Sequence, residues 1–321
     1  MNRRDAATLL TLGAAAIGAR ALVRHLREEP LDDEVAIVTG GSRGLGFAIA
    51  RELAAAGCTL VICARDEHEL RRAAEELARE GAAAVVPVVC DVANQDQVNH
   101  LVETAMQYFG RIDILINNAG IIEVGPAGAM RMEDYRALMD VMYWGIVNTS
   151  LAVLPVMQQQ KHGRIVNITS IGGKVSIPHL LPYSGAKFAA VGFSEGLHAE
   201  VAKDGISVTT VVPGLMRTGS FRHAFFKGDV EREFSWFSVA STLPGLTVSV
   251  RRAARQIVSA MRRRSAEVVI GTPAKIAMRG NSLMPRTSAA ILELVNRMLP
   301  RDATPRIVSG FEAERRATIG G

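Results

Sequence analysis

Tyr183 and Lys187 stand four residues apart in the run Tyr183-Ser184-Gly185-Ala186-Lys187. On a helix that spacing brings a phenol and an ammonium to one face. A free phenol, with a pKa of about 10, is a poor acid–base catalyst at neutral pH. A neighbouring cation favours the phenolate and draws the pKa toward the working range. A hydroxyl that orients a carbonyl oxygen would complete such a set, and Ser170, just after the apolar run 164–168, is the candidate. Taken alone, the spacing also fits a core tyrosine beside a surface lysine. A second chemical signal lies upstream, in Thr39-Gly40-Gly41-Ser42-Arg43-Gly44-Leu45-Gly46. Glycines there let the backbone turn tightly and approach a pyrophosphate. A following helix N-terminus would offer free N–H groups to the phosphates. The next apolar run ends Cys63-Ala64-Arg65-Asp66. An acid at the end of that strand would select NAD, and a cation would select the 2′-phosphate of NADP. Arg65, with Arg43 in the loop, offers the planar donor fork that suits phosphate. Asp66 lies one step beyond the expected acid.

These residues need a scaffold, and the hydropathy pattern supplies one. Apolar runs at 35–39, 59–63, 85–89, 112–116, 164–168, 207–212 and 268–271 alternate with amphipathic stretches, among them 67–80, 95–109, 132–160 and 250–263. Strands apolar on both sides, alternating with helices, indicate an α/β fold with a parallel sheet covered on both faces. After Pro213-Gly214 the rhythm loosens, and 215–248 reads as irregular and rich in aromatics. The tail holds an apolar helix around 288–299 and then a polar end.

The remaining composition mostly excludes. Among 321 residues, 37 Lys and Arg against 32 Asp and Glu give a formal charge of +5. The arginine bunches 251–255 and 262–264 read as solvated helix faces, without the interleaved aromatics expected of a nucleic-acid surface. Cys58, Cys63 and Cys90 read as reduced core thiols. The seven histidines are dispersed without metal-binding spacing, so no metal is expected. In residues 1–30, Arg3 and Arg4 precede an apolar stretch from Ala6 to Ala19, followed by Arg20, Arg24 and Arg27. Three readings stay open: an amphipathic helix on the protein or a membrane, a short anchor, or a twin-arginine export signal. The first two keep the protein cytoplasmic, at the inner face of the membrane. Arg20 and Arg24 argue against export.

The combination resembles the short-chain dehydrogenase/reductase family from about Leu31 to Gly271. The motifs, in order, are TGGSRGLG (39–46), CDV (90–92), NNAG (117–120), ITS (168–170), YSGAK (183–187) and PGLMRT (213–218). The resemblance implies one doubly wound, Rossmann-like domain over 31–271, with an N-terminal segment 1–30 and a C-terminal extension 272–321. It implies an NADP(H)-dependent enzyme acting on a small-molecule carbonyl or alcohol. Tyr183 would be the acid–base residue. Lys187 would hold the nicotinamide ribose and lower the Tyr183 pKa, and Ser170 would orient the substrate oxygen. Gly40, Gly44 and Gly46 would shape the pyrophosphate turn, with Ser42, Arg43 and Leu45. Asp91 and Val92 would flank the adenine, Asn117, Asn118, Ala119 and Gly120 would support the central sheet beside the cofactor, and Pro213, Gly214 and Thr218 would reach the nicotinamide. A homodimer or homotetramer built on the two long helices is implied as well. One departure stands out: Met142 occupies the place of the family's relay asparagine.

Two function classes follow. The first is a carbonyl reductase or alcohol dehydrogenase for a lipophilic substrate, with the aromatics of 221–237 as a lid or as core. The second is a cofactor-binding regulatory protein with weak or lost catalysis, motivated by Met142. An isomerase or epimerase using the same pair is disfavoured. The tail helix is read as packing on the body, docking at the substrate mouth, packing at a subunit contact or resting on a membrane.

Overall fold

Seven parallel strands form the centre of the molecule in a computed structural model that describes residues 28–243 and 245–319. The N-terminal readings for residues up to 27 lie outside the described residues. The strands are β1 (Val35–Thr39), β2 (Thr59–Ala64), β3 (Val85–Val89), β4 (Ile114–Asn117), β6 (Gly163–Ile168), β7 (Ile206–Pro213) and β11 (Glu267–Ile270). Their order is β3-β2-β1-β4-β6-β7-β11. Such an order reverses direction between β1 and β4, which opens a crevice at the C-terminal strand ends. Pro87, which cannot donate to a ladder, sits on the edge strand β3.

Each sheet face carries its own core, as expected for strands apolar on both sides. Helices α1 (Gly44–Ala55), α2 (Glu67–Arg79) and α8 (Val250–Arg262) bury Ile49, Leu53, Leu70, Ile257 and Met261 on one face. Helices α3 (Gln95–Phe109), α5 (Gly145–Gln160) and α6 (Leu181–Val201) bury Leu101, Val153, Met157 and Leu197 on the other. By length and composition alone, the stretch Met132–Gln160 could cross a membrane. In the fold it is not one regular helix but α4 (Met132–Met139), a π turn (Asp140–Trp144) and α5, whose inner side covers the sheet.

Two expectations are corrected here. The segment 215–248 is not irregular: it holds β8 (Met216–Arg217), β9 (Phe225–Phe226), helix α7 (Val230–Thr242) and β10 (Val248–Ser249). Phe226, Phe234 and Phe237 pack edge-to-face with one another in a satellite core, so most of its aromatics are packing. The bunch 262–264 is not a solvated face either. Arg262 donates to the Glu29 carbonyl, Arg263 to the Glu28 carboxylate and Arg264 to the Glu29 carboxylate. Buried Arg164 joins them through Glu29 and Glu34, pinning the chain entry beneath β6.

The tail 272–319 divides in two. Helices α9 (Thr272–Leu283) and α10 (Pro285–Met298) form a hairpin, in which α10 has no fully buried residue and half-buries Ser288, Leu292 and Val295. The polar end then returns: β12 (Val308–Ser309) pairs antiparallel with β9, and α11 (Gly310–Ile319) follows. Strand β5 (Glu123–Val124) completes that small sheet on the far side of β9.

Candidate active site

The turn after β1 opens the site. Gly40 and Gly44 adopt φ of +62° and +58°, a region that side chains rarely tolerate. The turn is clasped from the neighbouring β4 end. Asn118 Nδ2 donates to the Thr39 and Gly40 carbonyls, both at 3.1 Å. Thr39 Oγ1 accepts from the backbone N–H groups of Asn118 (2.9 Å) and Ala119 (3.1 Å). Gly46 corrects one expectation, because it lies beneath the turn rather than on the cleft wall. A Cβ there would meet the Gly40 carbonyl at 2.2 Å and Asn118 Nδ2 at 2.4 Å. Its requirement is close packing of helix against turn.

Above this turn runs a cleft of about 620 Å³, within the usual range for ligand sites. The other predicted site residues line it: Gly40 to Leu45 except Gly41, Arg65, Asp91, Val92, Asn118 to Gly120, Ser170, Tyr183, Lys187, Pro213, Gly214 and Thr218. The structure thus gathers six separate motifs at the C-terminal strand ends. Arg65 is exposed at one end. Asp66 beside it also lines the cleft, and its carboxylate caps α2 by accepting from Glu69 N at 2.8 Å. Arg43 is paired with Glu69 across the rim.

At the other end stand the chemical groups. Tyr183 and Lys187 project from the first turns of α6, and Lys187 Nζ lies 5.9 Å from the Tyr183 ring centre. Lys187 is buried and donates to the Ile168 carbonyl at 2.9 Å. Ser170 caps a short turn, its Oγ accepting from Gly172 N at 3.0 Å. Gly172 and Gly173 let that turn lie against α6: a Cβ on Gly173 would meet the Lys187 carbonyl at 2.6 Å.

Burial sets the electrostatics. It pushes the Lys187 ammonium down to about 8. It also raises the Tyr183 phenol above its usual value, partly offset by a hydrogen bond with Ser170. The expectation that Lys187 lowers the Tyr183 pKa is therefore corrected for the protein alone. Desolvation of the phenolate sets the direction, and Lys187, itself desolvated, does not offset it. Met142 is fully buried and packs with Tyr183, Leu138 and Ala186, so an apolar wall stands where the family has a polar side chain.

Several contributors were missed by sequence reasoning. A buried polar ladder crosses the sheet beneath the site. Asn117 donates to Ser150 and Asn167 and accepts from Thr149, and Asn167 donates to Ser194, which bonds Thr210. It ties β4, β6 and β7 to the two long helices, and the polar residue inside the run 164–168 was its signal. The tail supplies two more lining residues, Ser309 and Phe311. Gly310 N donates to the Ala224 carbonyl at 2.8 Å, strapping this segment to residues 221–226.

Comparison with known proteins agrees with this geometry. Residues 34–227 match the sequence profile of the short chain dehydrogenase family. A 3-oxoacyl-(acyl-carrier-protein) reductase of Synechocystis sp. is 39% identical over 189 residues, covering 59% of this chain and 76% of the relative. A short-chain dehydrogenase from Streptomyces avermitilis superposes with a TM-score of 0.71 at 28% identity, over 83% of this chain and 98% of that one. The L-sorbose reductase of Gluconobacter frateurii, solved with NADPH and L-sorbose, gives 0.68 at 27% identity, over 75% and 95%.

Proposed function

The chain belongs to the short-chain dehydrogenase family of oxidoreductases, and from that premise we propose that it interconverts a carbonyl and an alcohol on a lipophilic substrate with NADP(H). The observation that carries the reading is the convergence of Ser170, Tyr183 and Lys187 on one end of a cleft floored by the Gly40–Gly44 turn. That turn fits a dinucleotide, since two positive-φ glycines leave its floor without side chains at the helix N-terminus. When bound, the nicotinamide supplies or accepts the hydride. Ser170 Oγ orients the substrate oxygen. Tyr183 holds its proton at neutral pH, as its raised pKa requires, and gives it to that oxygen during reduction. Lys187 as the ammonium stabilises the resulting phenolate, and solvent in the open cleft returns the proton, because Met142 offers only an apolar wall.

NADP(H) is supported by Arg65 at the rim, and by the engagement of the Asp66 carboxylate as the cap of α2. A lipophilic substrate is supported by Ile121, Ile122, Met142 and Phe225 around the reacting end, and by a relative named for an acyl-carrier-protein substrate. Exposed Trp144, Leu151 and Phe188 on the long helices support a homo-oligomer, which light scattering would test. Met142 favours the second reading, a cofactor-binding regulatory protein, and one experiment separates the two. Wild type and Arg65→Ala are assayed with NADPH and NADH over a panel of long-chain and short-chain carbonyls. The proposal expects turnover of long-chain carbonyls with NADPH, and a loss of at least about tenfold in NADPH affinity, but not NADH affinity, in the variant. Tight NADPH binding without turnover of any carbonyl would establish the second reading instead.

A further inference from the structure

The hairpin α9–α10 leaves the body just after β11, at the strand ends that carry the site. Only Ala274 of its two helices is buried. Met284 just before α10 and the outward residues Ile291, Leu294 and Met298 along it are 57%, 56%, 59% and 74% exposed. Their spacing of seven, three and four residues sets them in one stripe. The inward side faces a separate cleft of about 730 Å³, which Leu292 of α10 lines opposite Pro178, His179 and Leu181. Leu181 begins the helix that carries Tyr183. Residues 272–307 hold six Lys and Arg against two Asp and Glu. None of those six cations is ion-paired among the described residues.

We propose that this hairpin is a docking surface for an anionic lipid bilayer. The exposed stripe enters the headgroup–acyl boundary while the flanking cations meet lipid phosphates and carboxylates. A second copy of the chain is a poorer occupant, because a two-fold contact would set the same cationic surface against itself. The inference stands on exposure and charge, and does not depend on the substrate assigned above.

The test uses the full chain and vesicles of phosphatidylcholine with or without about 30 mol% phosphatidylserine. Co-sedimentation with the anionic vesicles only is expected, weakening at high salt. The double variant Leu294→Glu/Met298→Glu should lower partitioning by at least about tenfold, with its thermal midpoint and NADPH affinity unchanged. A polarity-sensitive fluorophore on Leu294→Cys should shift to the blue on these vesicles, whereas one on exposed Tyr108→Cys should not. The native cysteines are buried, so labelling is selective. Undiminished binding of the glutamate variant would overturn the proposal. So would binding without a shift at position 294, or a shift that follows protein concentration without lipid.

Discussion

Replacing Lys187 by Met should stabilise the cofactor-free protein near neutral pH while removing its activity. The side chain is 5% exposed and its ammonium is pushed by burial alone from 10.5 to about 8. That drop corresponds to about 3 kcal/mol against the folded state wherever the unfolded lysine is charged. The folded pKa lies below the unfolded one, so the penalty is full below about pH 8 and fades as pH rises toward 10.5. Against it stands the lost hydrogen bond to the Ile168 carbonyl, worth about 1 kcal/mol. Lys187→Met should therefore gain about 2 kcal/mol near pH 7 and become about 1 kcal/mol less stable than wild type above pH 10.5. Urea unfolding of both proteins by circular dichroism, at several pH values from 7 to 10.5, measures the difference. A variant less stable at pH 7, or a difference that does not change with pH, would refute the reasoning.

Two glycine substitutions probe the scaffold. Gly46→Ala drives a Cβ into the Gly40 carbonyl and Asn118 Nδ2. Losing the two Asn118 hydrogen bonds would cost about 2 kcal/mol, or roughly 30-fold in NADPH affinity by calorimetric titration. A change under threefold would mean the turn is not held as described. Gly310→Ala places a Cβ 2.1 Å from the Phe221 carbonyl and 2.7 Å from that of Arg222. It should free the tail strap, so that trypsin cleaves at exposed Arg222 about tenfold faster. Unchanged cleavage would show that the strap does not hold residues 221–226.

The sheet was legible because parallel strands buried on both faces read as short, mostly apolar runs, as in Val35–Thr39 and Thr59–Ala64. Once those were located, the loops at 40–45, 118–120 and 213–218 had to meet, since all follow strand ends. What stayed hidden depends on distant partners or on burial. The two-residue strand Val308–Ser309 has no periodicity of its own, and it exists through Phe225–Phe226 some eighty residues earlier. Arg262, Arg263 and Arg264 look solvated until residues 28 and 29 are brought beneath them. The π turn at Asp140–Trp144 barely disturbs the apolar period of its helix. The direction of the Tyr183 shift follows from desolvation, which spacing along the chain does not report.

The account rests on Tyr183 as the group that moves the proton, and Tyr183→Phe tests it most directly. The measurement is NADPH oxidation with the carbonyl that wild type reduces fastest, alongside NADPH affinity. The phenyl ring keeps the packing against Met142 and Ala186, so affinity should stay within about twofold while kcat falls by about 10² to 10⁴. Turnover within a few-fold of wild type would contradict it.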